Sequence, residues 1–145
     1  MMKRLGFPLI LFLLSLTITS AHLIAIEKNL YWRYLWFDNP MHFAGGLLIG
    51  LIALWGIYES GLIKKGKGAF NKKDAYIAAF LSTMIIGLLW EAFEFSLEQM
   101  FVLDNNDLGD TLLDLIMDAA GALFAAYLYI VFRNRKKGRL LADEI

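Results

Sequence analysis

The chain has 145 residues, 59% of them hydrophobic, with no cysteine and a formal net charge of zero. A mean hydropathy of +0.55 excludes an ordinary soluble domain and points to a membrane protein. The missing cysteines exclude a disulfide framework and thiolate chemistry, and the short, scattered basic segments give no reason to expect nucleic acid.

In chain order, hydropathy predicts four helices, over 5–26, 41–58, 75–99 and 110–132, each near the ~20 residues that cross ~30 Å of hydrocarbon. The expected fold is all-α: an integral membrane bundle of four transmembrane helices forming one domain over 1–145, with a basic tail at 133–145. Lys3 and Arg4 before the first apolar run, with Thr19-Ser20-Ala21 inside it, admit a cleaved signal peptide. The run continues through Leu23-Ile24-Ala25-Ile26, which favours a retained span.

Between spans one and two lies EKNLYWRYLWFDNP, an aromatic segment suited to the headgroup level. It reads as an interfacial anchor or as a platform for a lipid, with Arg33 and Trp36 as substrate-binding candidates. The second span carries Gly46 and Gly50 at a spacing of four, a face on which another helix can approach closely and a candidate surface for a homo-oligomer. Twelve of the fourteen basic residues fall on one side of a four-span arrangement; Lys28 and Arg33 are the two on the other. The positive-inside rule makes the basic side cytoplasmic, with both termini there, and predicts a multi-pass protein of a prokaryotic inner membrane.

The acids segregate the opposite way. Glu91, Glu94 and Glu98 share one face of span three, and Asp110, Asp114 and Asp118 share one face of span four. Both ladders descend from the outer surface to about 10–12 Å. Asp38 and His42 are four apart at the outer end of span two, and His22 lies near the outer end of span one. A charged Asp at the centre of a span costs ~2.5–3.5 kcal/mol, and no Lys or Arg inside a span offsets it. A bound cation, retained protons or a water-filled pocket would resolve the cost. The plain alternative is helix-to-helix hydrogen bonding by protonated carboxyls. DNNDLGD (104–110) falls short of an EF-hand, because Leu108 occupies its fifth position.

Three motifs carry a family resemblance. DNPMH (38–42), EAFE (91–94) and DLIMDAAG (114–121) resemble, in order and approximate spacing, the Asp-x-x-x-His, Glu-x-x-Gln and Asp-x-x-x-Asn-x-x-Gly of VanZ-like membrane proteins. Glu94 stands where that family usually has Gln and Asp118 where it has Asn, and an Arg often found before the fourth span is absent. A related group of small bacterial inner-membrane proteins keeps acids at these places, and this chain is more similar to that group. The resemblance implies a small polytopic protein; VanZ-like members are associated with resistance to lipoglycopeptide antibiotics at the cell surface.

Three functions are expected. The first is a metal site at the outer leaflet, held by Asp38, His42, Glu94, Asp114 and Asp118. It suits Mg²⁺, Mn²⁺ or Ca²⁺, or Zn²⁺ or Fe²⁺ through the histidine. Glu91 and Glu94 are the catalytic candidates, Glu98 and Asp110 further substrate-binding ones, and the substrate a lipid or lipid-linked envelope intermediate. The second is a proton or metal-cation transporter, for which stacked carboxylates supply a relay. The third is a non-catalytic accessory protein that shields surface precursors or meets another membrane protein.

Overall fold

The structure, a computed structural model, describes residues 6–60, 70–101 and 108–142, with side chains over 6–60, 70–96 and 108–135. The expected all-α fold is observed. Helix α1 spans Gly6–Glu27, α2 Leu30–Arg33, α3 Asp38–Tyr58, α4 Lys72–Phe101 and α5 Leu108–Ala142, with a 3₁₀ turn at Leu35–Phe37. Four of these helices are long and apolar enough to cross a membrane.

The boundaries have local causes. Asn29 closes α1 in the left-handed conformation, at φ 54°, which Asn tolerates better than most residues. The chain then turns into α2 along the aromatic segment. Helix α3 starts at Asp38, before the expected Met41, because Pro40 sits in the first turn, where its missing N–H is no loss. Asp38 also places a carboxylate on the positive end of the helix dipole. Helix α4 starts earlier than expected because Asn71 caps it: its side-chain oxygen accepts from the Lys73 N–H at 3.1 Å and its amide donates to Asp74 at 3.2 Å. Helix α5 runs through the expected basic tail to Ala142; the tail's Arg, Lys and Leu residues are good helix formers with no proline to stop them.

Helices α3, α4 and α5 pack against one another, α3 and α5 most extensively, whereas α1 packs on α3 and α2. The α3–α5 seam is built from small residues. A Cβ on Gly46 would collide with the Asp118 carbonyl, and one on Gly121 with the Phe43 carbonyl and the Leu47 amide, so the two backbones touch where these glycines cross. Ala122, Ala125 and Ala126 continue the seam, wholly buried, toward Leu54 and Tyr129. Gly50 faces Ala122 and Ala125. The Gly46/Gly50 face expected to join a second copy is thus occupied by α5 of the same chain. Apolar side chains of α1 and α4 such as Phe12, Leu23, Ile85 and Leu89 point outward, as a bilayer requires and water would penalise.

Antiparallel running puts the end of α1, α2, and the starts of α3 and α5 at one end of the bundle, with the end of α4. Among the described residues, that end carries most of the acids, with Glu59 and Asp74 at the other. The opposite end carries Lys72, Lys73, Arg133 and Arg135. There the Arg133 guanidinium lies 4.2 Å from the Phe70 ring centroid and 5.9 Å from that of Tyr58. It donates to the Tyr129 hydroxyl at 3.2 Å, and that hydroxyl lies 3.5 Å from a Glu59 oxygen.

Candidate metal centre

His42 is the hub of the acidic end. It is one of four residues on α3, with Gly46, Gly50 and Leu54, that recur every four positions and are buried against α5. The glycines bring α5 close enough for its own i, i+4 pair, Asp114 and Asp118, to reach the imidazole. Relative exposure falls to 9% for His42, 6% for Asp118 and 3% for Asp114. Nε2 of His42 lies 3.7 Å from Oδ1 of Asp38 and 3.7 Å from Oδ2 of Asp114. Nδ1 lies 3.6 Å from Oδ1 of Asp118.

These separations exceed the ~2.7–3.2 Å of a good N–H···O hydrogen bond. Two ligands sharing one ion at bonds of ~2.0–2.2 Å stand about 3–3.5 Å apart, close to what is seen. Two sets of ligand atoms lie within 4.8 Å of one another: Asp38, His42 and Asp114, and His42, Glu91 and Glu94. His42 belongs to both. Asp118, expected among the ligands, belongs to neither. It faces the opposite ring nitrogen, where a carboxylate fixes the tautomer and orientation of a ligating histidine without touching the ion. Buried polar atoms normally find a partner, yet Oδ1 of Asp114 and Oε1 of Glu91 are buried with none.

The site forms the polar end of a cavity of 880 Å³. Glu94 and Asp110 line it, Asp110 from an exposed position at the start of α5. Arg33 and Trp36, expected to bind substrate, stay outside the wall, and Trp32 and Leu35 take their place. The reason is the turn from α2 into the 3₁₀ segment, which points neighbouring residues in different directions. The Glu98 side chain lies outside the described residues.

The opposite wall joins His22 to Tyr31: Nδ1 of His22 is 2.7 Å from the Tyr31 hydroxyl, and both line the cavity. Burial, then the nearby Asp38 and Glu94, push the Tyr31 phenol up to about 12, so it keeps its proton and remains a donor. This pair was not expected. His22 alone reads as a packed polar residue and Tyr31 as one interfacial aromatic among several; the one available signal was their common level at the outer end of span one. Thr111, Gly45 and Gly87 also line the cavity unexpectedly; Gly87 leaves room for Asp118, whose Oδ2 sits 2.5 Å from where a Cβ would stand.

Over residues 1–135 the chain matches the family described as Predicted membrane protein (DUF2238). The chain belongs to this family. Among curated proteins it is similar to an uncharacterized protein of Thermotoga maritima, 34% identical over 113 residues. The match takes in 77% of this chain and 55% of the relative, so the chain spans about half the length of that relative. No solved structure matches. Membership agrees with the four spanning helices and makes this a multi-pass membrane protein.

Proposed function

We propose that the acidic end binds a divalent cation and that the protein is a metal-dependent hydrolase or transferase acting on a lipid or lipid-linked envelope substrate. One observation carries the reading. A buried imidazole presents Nε2 to two aspartates at 3.7 Å, while the buried oxygens of Asp114 and Glu91 beside it have no protein partner. Buried carboxylates that keep unpartnered oxygens beside a histidine have the donor atoms a divalent cation takes. Asp38, His42 and Asp114 are the core ligands, Glu91 completes the set, and Asp118 orients the ring. The oxygen-rich set suits Mg²⁺, Mn²⁺ or Ca²⁺, with Zn²⁺ or Fe²⁺ through the imidazole.

When bound, the cation supplies Lewis acidity toward a phosphoryl or carbonyl oxygen and acidifies a water. Glu94, on the cavity wall and not among the core three, is placed to take the proton from an attacking water. The acidic end lies opposite the basic one. By the positive-inside rule it faces the outer leaflet of a prokaryotic plasma membrane, where headgroups of envelope lipids lie. The motif order also fits a VanZ-like relationship, which would place the chemistry among surface precursors. Transport is less well supported: beneath the site, Gly46 against Asp118, then Gly50 against Ala122 and Ala125, bring α3 and α5 into contact, and wholly buried Leu54 and Ala126 follow.

Elemental analysis of the detergent-purified protein tests the reading. Wild type is expected to hold near-stoichiometric metal, and Asp114→Ala and His42→Ala to lose it. Metal-free wild type after reloading with each of the five ions would end the proposal. With metal established, Glu94→Gln is expected to keep the ion and lose turnover on lipid-linked substrates.

A further inference from the structure

The cavity is much larger than its ion requires. A cation with a full water shell needs on the order of 200 Å³, at ~30 Å³ per water, against the 880 Å³ present. The remainder extends away from the carboxylates. Along α3 the wall runs from His42 to Ile49, about 10 Å, and it is joined by Ile18 of α1 and Ile86 of α4. This arm is apolar.

It is also open on one side. Helix α1 packs on α3 and α2, whereas α4 packs on α3 and α5, so α1 and α4 flank the cavity with no packed seam between them. Ile86 and Trp90 line the cavity yet are 45% and 42% exposed. Both flanking helices are spans, so the opening faces hydrocarbon, and what fills it comes from the bilayer.

We propose that the cavity is a lateral site for one hydrocarbon chain of a phosphate-headed membrane lipid, which enters between α1 and α4 with its headgroup at the carboxylates. The headgroup part rests on the cation reading above, since only a bridging cation makes an acidic pocket attract phosphate. The path of the chain rests on packing alone. The His22–Tyr31 pair lines the same cavity and, after its own hydrogen bond, has one N–H or O–H left to donate to a headgroup oxygen.

Gly45 supplies the test. It lines the cavity, and nothing lies within 4 Å of where its Cβ would stand. Gly45→Phe therefore fills the arm without touching the backbone seam. Gly56 has the same open surroundings and is not part of the cavity wall, so Gly56→Phe is the control. Ile49→Phe blocks the arm from one turn further along α3. The full chain is reconstituted in phosphatidylethanolamine vesicles containing a phosphatidylglycerol with a diazirine in one acyl chain, then irradiated, and cross-links are mapped by mass spectrometry.

The expected result is labelling concentrated at Thr19, Ile86 and Trp90. Gly45→Phe or Ile49→Phe should cut it about tenfold, equivalent to 1.4 kcal/mol of lost binding, while Gly56→Phe leaves it unchanged. Labelling spread evenly over the bilayer-facing sides of α1, α4 and α5, and equal in the blocked variants, would overturn the proposal. Metal content measured on the same samples separates the two readings. Full metal with even labelling removes the lipid site and leaves the cation site. Blockable labelling without metal keeps the chain site and removes the cation.

Discussion

His42 touches three aspartates through two ring nitrogens, and the nitrogens assign different roles to them. Asp38 and Asp114 share the Nε2 side, whereas Asp118 alone holds Nδ1. Asp118→Asn should therefore keep the ion but weaken it about 10–100-fold, the usual effect of losing a carboxylate behind a ligating histidine. Isothermal titration with Mn²⁺ would show this, and complete loss of binding would make Asp118 a ligand. Adjacent glycines on α3 make a second contrast. A Cβ at Gly45 meets open space, whereas one at Gly46 meets the Asp118 backbone. Gly45→Ala is expected to leave stability within about 1 kcal/mol of wild type, helped by better helix propensity. Gly46→Ala should cost about 1–3 kcal/mol by forcing α3 and α5 apart. Thermal unfolding in detergent measures both, and equal effects would contradict the seam.

At the scale of elements, α5 organises the molecule. One of its faces carries Asp114 and Asp118, then Gly121, Ala122, Ala125 and Ala126, and ends at Tyr129 and Arg133, so a single helix face joins the polar site to the opposite end. There Arg133 lies over Phe70 and bonds the buried Tyr129. This ties α5 to the end of α3 and the segment leading into α4. Arg133→Ala should lower stability by about 0.5–2 kcal/mol, the range of a cation–π contact that is partly desolvated, while Arg133→Lys should recover part of it. Unfolding in detergent again reads the difference; an unchanged midpoint in Arg133→Ala would reduce the residue to an orienting charge. The ladders on spans three and four were legible from their spacings of three and four residues, because a helix places such residues on one face whatever surrounds it. The division of labour among them was not legible, since it depends on the rotation of each helix about its own axis.

Among the described residues, most acids stand at one end of the bundle and most bases at the other. The natural sequence has no cysteine, so single introduced thiols report sidedness directly. Asn29→Cys, at the acidic end, should react with an impermeant maleimide added outside intact cells. Asn71→Cys, at the basic end, should react after lysis alone. The reverse pattern would invert the orientation and move the site to the cytoplasmic leaflet. A bound ion should also stabilise the whole fold, by about 2.7 kcal/mol at a hundred times its Kd. Chelation is therefore expected to lower the unfolding midpoint of wild type and leave that of Asp114→Ala unmoved.

The amino-acid sequence by itself determined the four spans, their alternation and the level at which ionisable groups gather. Hydropathy, helical period and chain length act along one dimension, and a bilayer turns position along the chain into depth. Only the tertiary structure decided which faces meet. Gly46 and Gly50 offer a docking stripe to any helix, and α5 of the same chain takes it because a tethered neighbour is always at hand. Likewise Arg33 and Trp36 are chemically apt for a substrate but are turned away from the cavity, and His22 and Tyr31, whose pairing a linear reading does not show, are brought together across the break at Asn29.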